Sequence, residues 1–331
     1  MNLNEKIKSK GFLDIDLPLN IDFKSEILKL KKEKNAIILG HYYQNDEIQD
    51  ISDILGDSLA LAQEAAKTDA DLIVFAGVHF MAETAKLVNP NKKVVLPDLN
   101  AGCSLADSAP VEDFKKFVEA HPDYTVITYI NSSTEVKALT DVCCTSSNAV
   151  HIVNSFPSDA KLIFAPDKNL GSYINKVTGR NMLLWDGACH VHKEFSIPRL
   201  LELKNENKDA KVIAHPECQS DLLILADHIG STSSLLKFTQ TDNCQKFIVA
   251  TESGILHQMR KSSPEKIFIA TPPEDSTCAC NDCKFMKLNT LKKIYLALKY
   301  EVPEISMDEN LRLQAAKPIE RMLEISHNLG L

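Results

Sequence analysis

The chain has 331 residues, of which 44% are hydrophobic and 25% charged, and its formal net charge is −8. This balance gives no basic surface for nucleic acid, and the sequence contains neither an apolar run of roughly 18 residues that could span a membrane nor the apolar core of a signal peptide. We therefore expect a cytoplasmic protein of two or three domains, whose nine cysteines serve metal binding, catalysis or burial rather than disulfides.

The chain begins with amphipathic helical patterns over residues 1–35 and then enters a first α/β unit. Its first strand, at residues 37–39, ends in the polar run 40–43. A turn of small polar residues that can start a helix follows at 56–58. Two further strands, at 72–75 and 94–96, flank a helix at 81–88, and the unit closes in a loop that carries Cys103.

The same order of elements recurs twice, with first strands that begin about 86–89 residues apart. The second unit has strands at 126–128, 162–164 and 183–185, a helix start at 145–147, and a loop with Cys189. The third has strands at 212–214, 247–249 and 267–269, a helix start at 230–232, and a longer loop with Cys283. A final amphipathic helix is predicted within residues 306–331.

Strands that alternate with helices predict parallel sheets with helices on both faces. We predict three homologous α/β/α sandwich domains around a pseudo-threefold axis, with the active site at their central interface. The expected domains are 20–108, 109–195 and 196–299, with helices in 1–19 and 300–331 packed outside. Three separate sites are the alternative, which is disfavoured because no single unit carries a complete set of functional residues.

The cysteines fall into two groups by position. Cys143 and Cys144 lie in an apolar strand and are predicted to be small buried hydrophobic residues, and the same is predicted for Cys218. Cys103, Cys189 and Cys283 instead occupy the closing loop of each unit. Three thiolates would hold a 4Fe-4S cluster with one iron open to act as a Lewis acid.

A local cluster at Cys278, Cys280 and Cys283 allows other interpretations. Alone it suggests a zinc site or a redox-active cysteine pair, although structural zinc usually takes four ligands and no histidine is near. A redox pair could coexist with a cluster ligand at Cys283.

Taken together, the motifs resemble the quinolinate synthase family along nearly the whole chain. The stretches that carry the resemblance are 41–44, 56–59, 98–104, 129–131, 185–192, 215–217, 230–233 and 283–286. The resemblance implies a transferase that joins iminoaspartate to dihydroxyacetone phosphate, giving quinolinate, phosphate and two waters in the synthesis of NAD. It also implies a 4Fe-4S cluster on Cys103, Cys189 and Cys283, whereas the one-residue gap between Cys278 and Cys280 departs from the two-residue gaps of some members.

The candidate substrate-binding residues follow strands or start helices. Ser58, Ser146 and Thr232 stand at predicted helix starts, where a hydroxyl and free N–H groups can hold an anion; simple capping is the alternative. The resemblance adds further binding residues, which are His41, Tyr129, Ile130, Asn131, His215, Pro216 and Glu217.

Proton transfer is assigned to Tyr43, Glu217 and His41. Tyr43 could instead belong to a lid, Glu217 to a surface ion pair, and His192 could simply order the Cys189 loop. Two other functions stay open: an iron–sulfur hydro-lyase for a different dicarboxylate, and a metal-dependent redox sensor. Functional coupling to an L-aspartate oxidase is expected from the family's pathway.

Overall fold

The computed structural model describes residues 3–274 and 282–331. Cys278 and Cys280 lie outside these residues, and their redox role stays a prediction. Two helices, α1 (Leu3–Lys10) and α2 (Phe23–Glu33), come before the first sheet. No helix in the described ranges has the length and apolar character needed to cross a bilayer.

The first sheet contains four parallel strands in the order β2-β1-β3-β4. The strands are β1 (Ala36–His41), β2 (Ile54–Gly56), β3 (Leu72–Ala76) and β4 (Lys93–Val95). Between them run α3 (Asp46–Gln49), α4 (Ser58–Lys67) and α5 (His79–Val88). Every residue of β3 is buried, as expected for a parallel strand covered on both faces.

The second sheet repeats this order as β6-β5-β7-β8. Its strands are β5 (Thr125–Tyr129), β6 (Val142–Cys144), β7 (Leu162–Ala165) and β8 (Leu183–Leu184). The helices of this stretch are α6 (Ser104–Asp107), α7 (Val111–Glu119), α8 (Thr134–Ala138), α9 (Ala149–Asn154) and α10 (Lys168–Thr178). Cys143 and Cys144 are fully buried in β6, as predicted.

The third sheet has the order β10-β9-β11-β12. Its strands are β9 (Lys211–Ala214), β10 (His228–Ile229), β11 (Lys246–Ala250) and β12 (Ile267–Ala270). The helices are α11 (His190–Lys193), α12 (Ile197–Glu206), α13 (Ser220–Ile224), α14 (Thr232–Thr241) and α15 (Ile255–Ser262). The three identical strand orders confirm the predicted triplicated α/β architecture; the domain boundaries at 108/109 and 195/196 stay predictions.

After the third sheet, a short 3₁₀ turn (Met286–Leu288) leads into α16 (Leu291–Tyr300) and α17 (Glu309–Asn328). Helix α16 returns to the first unit and packs on α2 and β3. Helix α17 packs on α5 of the first unit and on α8 and β6 of the second. Helix α17 therefore joins the first two units as well as covering them.

The hydrophobic cores are also shared unequally among the three units. One large cluster is shared by the first two sheets and α17, and it includes Phe75, Ile127 and Met322. The third sheet packs its two faces in separate clusters around Ile248 and Phe247. Because the third unit shares less core with the others, its seam with them is free to carry polar groups.

Candidate active site

A cavity lies where the carboxyl ends of the three sheets meet. Ligands of open parallel sheets bind at that edge. The predicted site residues that line it are His41, Tyr43, Ser58, Cys103, Tyr129, Asn131, Ser146, Cys189, His215, Glu217, Thr232 and Cys283. The side chains of Ile130 and Pro216 are buried beside it without lining it.

The three loop cysteines converge on one part of this cavity. Cys103 directly precedes α6, Cys189 directly precedes α11, and Cys283 precedes the 3₁₀ turn. Burial raises the thiol pKa of Cys103 to about 12, and it also raises the pKa values of Cys189 and Cys283. Charge on Glu217 and on Cys103 further raises the pKa of Cys189. Three adjacent thiolates at these half-buried positions therefore require a cationic centre beside them, and an iron–sulfur cluster would supply it.

The spacing of the thiols disfavours a single metal ion. Bonds of about 2.3 Å in a tetrahedral zinc site would place thiolates about 3.8 Å apart. Within the described ranges, Cys189, His192 and Glu217 form a set of three possible ligands whose atoms all lie within 4.8 Å of one another. Both ring nitrogens of His192 already have hydrogen-bond partners, so a metal on this set would displace existing contacts. The three loop cysteines do not form such a set. At least two of the three thiols therefore lie farther apart than 4.8 Å.

Two buried carboxylates fix the backbone of the cysteine loops. Asp167, which follows β7, accepts a hydrogen bond from the Cys189 amide at 3.3 Å. Glu252, which follows β11, accepts one from the Cys283 amide at 3.1 Å. The sequence analysis missed both residues, although each stands just beyond a predicted strand. The second and third units thus hold their cysteines by equivalent contacts.

The hydroxyl residues at the helix starts differ in their local structure. Ser58 and Thr232 are the first residues of α4 and α14, and the side-chain caps of these helices come from Asp57 and Ser231. Capping therefore does not account for Ser58 or Thr232. The prediction was wrong for Ser146, because α9 begins only at Ala149.

The Ser146 turn has its own internal support. The side-chain oxygen of Asn148 folds back to accept the Thr145 amide at 2.6 Å. Asn148 also donates to Ser326 of α17 at 2.9 Å. Ser146 is held in a turn that faces the cavity, and its hydroxyl lies 3.1 Å from Nε2 of His215.

The two histidines at strand ends are uncharged at neutral pH. Burial lowers the pKa of His41 to about 4 and that of His215 to about 3. The Tyr43 amide donates to Nδ1 of His41 at 3.1 Å, which assigns the proton of His41 to Nε2. These rings therefore act as neutral hydrogen-bonding groups in the cavity.

A chain of hydrogen bonds across different units joins two of the three candidates for proton transfer, Tyr43 and Glu217. The role of His41 in proton transfer stays a prediction. The Tyr129 hydroxyl donates to Glu217 at 2.6 Å, and the other Glu217 oxygen lies 3.1 Å from Nδ1 of His192. Nε2 of His192 lies 3.0 Å from the Thr251 hydroxyl, which is 2.7 Å from the Tyr43 hydroxyl. The path from Tyr129 to Tyr43 is continuous.

The pKa values along this chain are separated by their surroundings. Burial raises the pKa of Glu217, but His192, His215 and the Tyr129 hydroxyl outweigh it, so its pKa lies below the ordinary value. Burial and the nearby Glu217 charge hold the pKa values of Tyr43 and Tyr129 well above their ordinary range. An ionised carboxylate and two protonated phenols are thus connected through one imidazole and one hydroxyl.

Thr251 was missed by the sequence analysis, and His192 was treated only as a weaker candidate. Thr251 directly follows β11, the third strand of its unit in chain order. Polar residues also follow the predicted strands at 162–164 and 247–249, and these positions hold Asp167, Thr251 and Glu252.

Comparisons with known proteins place the sequence in a family. The profile of the family described as quinolinate synthetase A protein matches residues 25–324. A quinolinate synthase of Chloroherpeton thalassium is 59% identical over 312 residues, covering 93% of this chain and 97% of that protein. A quinolinate synthase of Thermosynechococcus vestitus is 58% identical, and the match covers 93% of this chain and 97% of that protein. A quinolinate synthase of a Synechococcus species is 56% identical, and the match covers 95% of this chain and 99% of that protein. The chain belongs to the quinolinate synthetase A family.

Proposed function

We propose that this protein is a quinolinate synthase that condenses iminoaspartate with dihydroxyacetone phosphate to give quinolinate, phosphate and two waters. Membership of the family makes it an enzyme of NAD biosynthesis. The observation that carries the proposal is the meeting of Cys103, Cys189 and Cys283 with histidine, tyrosine and hydroxyl groups on the wall of one cavity. A cytoplasmic location and supply of the unstable imine by an L-aspartate oxidase remain parts of this proposal.

The proposed cofactor is a 4Fe-4S cluster held by Cys103, Cys189 and Cys283. With three protein ligands, one iron is free to supply Lewis-acid chemistry when hydroxide leaves. The raised thiol pKa values support this assignment, because a bound cluster would supply the positive charge that stabilises the thiolates. Asp167 and Glu252 would keep the Cys189 and Cys283 loops in place for the cluster.

Substrate binding is proposed to rest on neutral donors more than on charged ones. The Nε2 proton of His41 and the hydroxyls of Ser58, Ser146 and Thr232 can each donate to carboxylate or phosphate oxygens. Asn131 contributes a side-chain amide whose oxygen is buried without a protein partner. The N-terminus of the ten-residue helix α4 adds its partial positive charge beside Ser58.

Proton transfer is proposed to use Glu217 and Tyr43, which the hydrogen-bond chain connects. Ionised Glu217 accepts protons and protonated Tyr43 donates them, in line with their opposite pKa shifts. His192 can pass a proton between its two nitrogens, and Thr251 relays it to or from Tyr43. The reaction removes and adds protons at several stages. A hydrogen-bond chain that can return each of its groups to its original protonation state suits such a reaction.

The proposal is tested by anaerobic assay of cluster-replete protein with iminoaspartate and dihydroxyacetone phosphate. Quinolinate should accumulate with one phosphate released per turnover, and its absence would refute the proposed activity. Replacement Cys103→Ala should abolish both the visible absorbance of the cluster and the activity. The matched control is Cys244→Ala, since Cys244 lies outside the cavity and should tolerate the change. Turnover of a different dicarboxylate alone would favour the hydro-lyase alternative.

A further inference from the structure

One residue close to each loop cysteine takes part in a contact between the three loops. Ser104 follows Cys103, His190 follows Cys189, and Phe285 lies two residues after Cys283. We call Ser104, His190 and Phe285 the collar. All three line the cavity, but none has a role in the proposed substrate binding or proton transfer.

His190 is the centre of the collar. Its Nδ1 lies 2.6 Å from the Ser104 hydroxyl, and its backbone amide donates to the same oxygen at 3.4 Å. Its ring meets the Phe285 ring edge to face, with centroids 6.0 Å apart and an interplanar angle of 89°. Phe285 also lies over Gly102, where an added Cβ would be 3.7 Å from Cε1 of Phe285. The loops of all three cysteines thus meet at one imidazole.

The collar lies between the interior and the solvent. Its three residues are half-buried. Their inner neighbours Leu105, His192 and Met286 are buried, while Lys193 and Lys284 beside them are exposed. The collar side chains therefore form the boundary between the thiols and bulk water on this side of the cavity.

Resting on the proposed cluster assignment, we propose that the collar seals the solvent side of the cluster and controls how readily chelators and oxidants reach it. An iron without a protein ligand is the most accessible part of such a cluster, so the enzyme requires a barrier that is separate from the substrate contacts. A hydrogen bond and an aromatic contact close this barrier, and their loss increases the population of locally opened states. His190 acts on access and does not act as a catalytic residue.

The test measures cluster loss directly, by the decay of visible absorbance when an iron chelator is added anaerobically. The variants are His190→Ala, Phe285→Ala and the conservative Phe285→Leu. The matched control is His228→Ala, because His228 is also half-buried, contacts the Ser234 hydroxyl at 3.0 Å and stacks on Phe238, yet lies outside the cavity. The melting temperature of each cluster-free protein is measured in parallel.

We expect His190→Ala to lose its cluster about fivefold faster than the parent protein, as removal of one ordinary hydrogen bond implies. Phe285→Ala should behave similarly, Phe285→Leu should stay close to the parent, and His228→Ala should not change the rate. Adding Ser104→Ala to His190→Ala should have only a small further effect, because the side-chain bond is already lost and only the long bond from the residue-190 amide is removed in addition.

Equal rates of cluster loss in the parent and the collar variants would overturn this inference while leaving the proposed function intact. A large fall in the melting temperature of the cluster-free His190→Ala protein would also overturn it, since the contact would then stabilise the whole fold. Failure of the parent protein to bind any cluster would overturn the proposed cofactor and the collar together.

Discussion

The hydroxyl of Tyr129 donates a hydrogen bond of 2.6 Å to Glu217, and the two residues belong to different repeats of the fold. Tyr129 ends the first strand of the second unit, and Glu217 follows the first strand of the third. Both side chains are buried. Glu217, which is proposed to accept protons, is therefore held in place by the phenol of a residue from a different unit.

This contact predicts the effect of Tyr129→Phe. Loss of a hydrogen bond to a charged acceptor should raise the Glu217 pKa and lower kcat about 10- to 100-fold. The cluster absorbance should be unchanged, because the ring and its packing remain. Steady-state assays and an absorbance spectrum check both points, with Tyr124→Phe in the same unit as control. Full activity of Tyr129→Phe would contradict the assigned contact.

Thr251 is predicted to be essential to the proton path between His192 and Tyr43. The change Thr251→Val keeps the shape but removes the hydroxyl, so kcat should fall about 10- to 100-fold with KM nearly constant. Thr251→Ser should restore most of the rate. Thr239→Val is the control, since Thr239 is equally buried in the third unit but donates to a helix carbonyl. An unchanged kcat in Thr251→Val would show that protons travel by another route.

The buried histidines predict a loss of stability in mild acid. His41 and His215 have pKa values of about 4 and about 3 in the folded protein, against 6.5 ordinarily. Between the folded and the ordinary pKa values, the unfolded chain binds more protons than the folded protein does. The contribution of these histidines to the free energy of unfolding is therefore full above pH 6.5 and falls as the pH decreases toward 4. The His41 contribution is on the order of 3 kcal/mol.

Urea unfolding of the metal-free protein at pH 7 and pH 5 measures this effect. His215→Gln should unfold with a smaller difference between the two pH values than the parent protein. His327→Gln, at an exposed position of α17, should retain the parent difference. If His215→Gln kept the full difference, protonation of His215 would not be its cause.

The ion pair between Glu252 and Lys287 predicts an effect on stability that depends on pH. Lys287 Nζ lies 2.9 Å from fully buried Glu252 and also donates to the Tyr43 carbonyl at 2.8 Å. Burial raises the pKa of Glu252 to about 7 even with this cation beside it, so near pH 7 the carboxyl of Lys287→Met can bind a proton and the loss should be small. At pH 9, where the parent carboxyl is ionised, Lys287→Met should cost about 3–5 kcal/mol. The double variant with Glu252→Gln should recover much of this loss.

Urea unfolding of the cluster-free variants at pH 7 and pH 9 provides the measurement, and Lys284→Met at a neighbouring exposed site is the control. Because the pair also links the Cys283 loop to the Tyr43 loop, Lys287→Met should lower kcat in addition. Stability at pH 9 equal to that of the parent would mean that Glu252 is protonated without its partner.

The repeat and its strands could be predicted because each depends on local pattern. The predicted first strands at 37–39, 126–128 and 212–214 lie within β1, β5 and β9. Buried parallel strands are short apolar runs whose ends are marked by polar residues, so a single sequence shows them. The start of α9 was misplaced because Asn148 folds back on Thr145, a contact that local composition does not reveal.

The sequence by itself determined the triplicated architecture, the family, and the cysteine in each closing loop, since these follow from periodicity and from contiguous motifs. Only the tertiary structure revealed the chain through His192 and Thr251, the burial that keeps His41 and His215 neutral, and the collar around His190. Tyr43 and Thr251 are 208 positions apart, and Tyr129 and Glu217 are 88 apart. Partners so distant meet only when the sheets are assembled around a common cavity, and neither hydrogen-bond geometry nor desolvation is encoded in any local stretch.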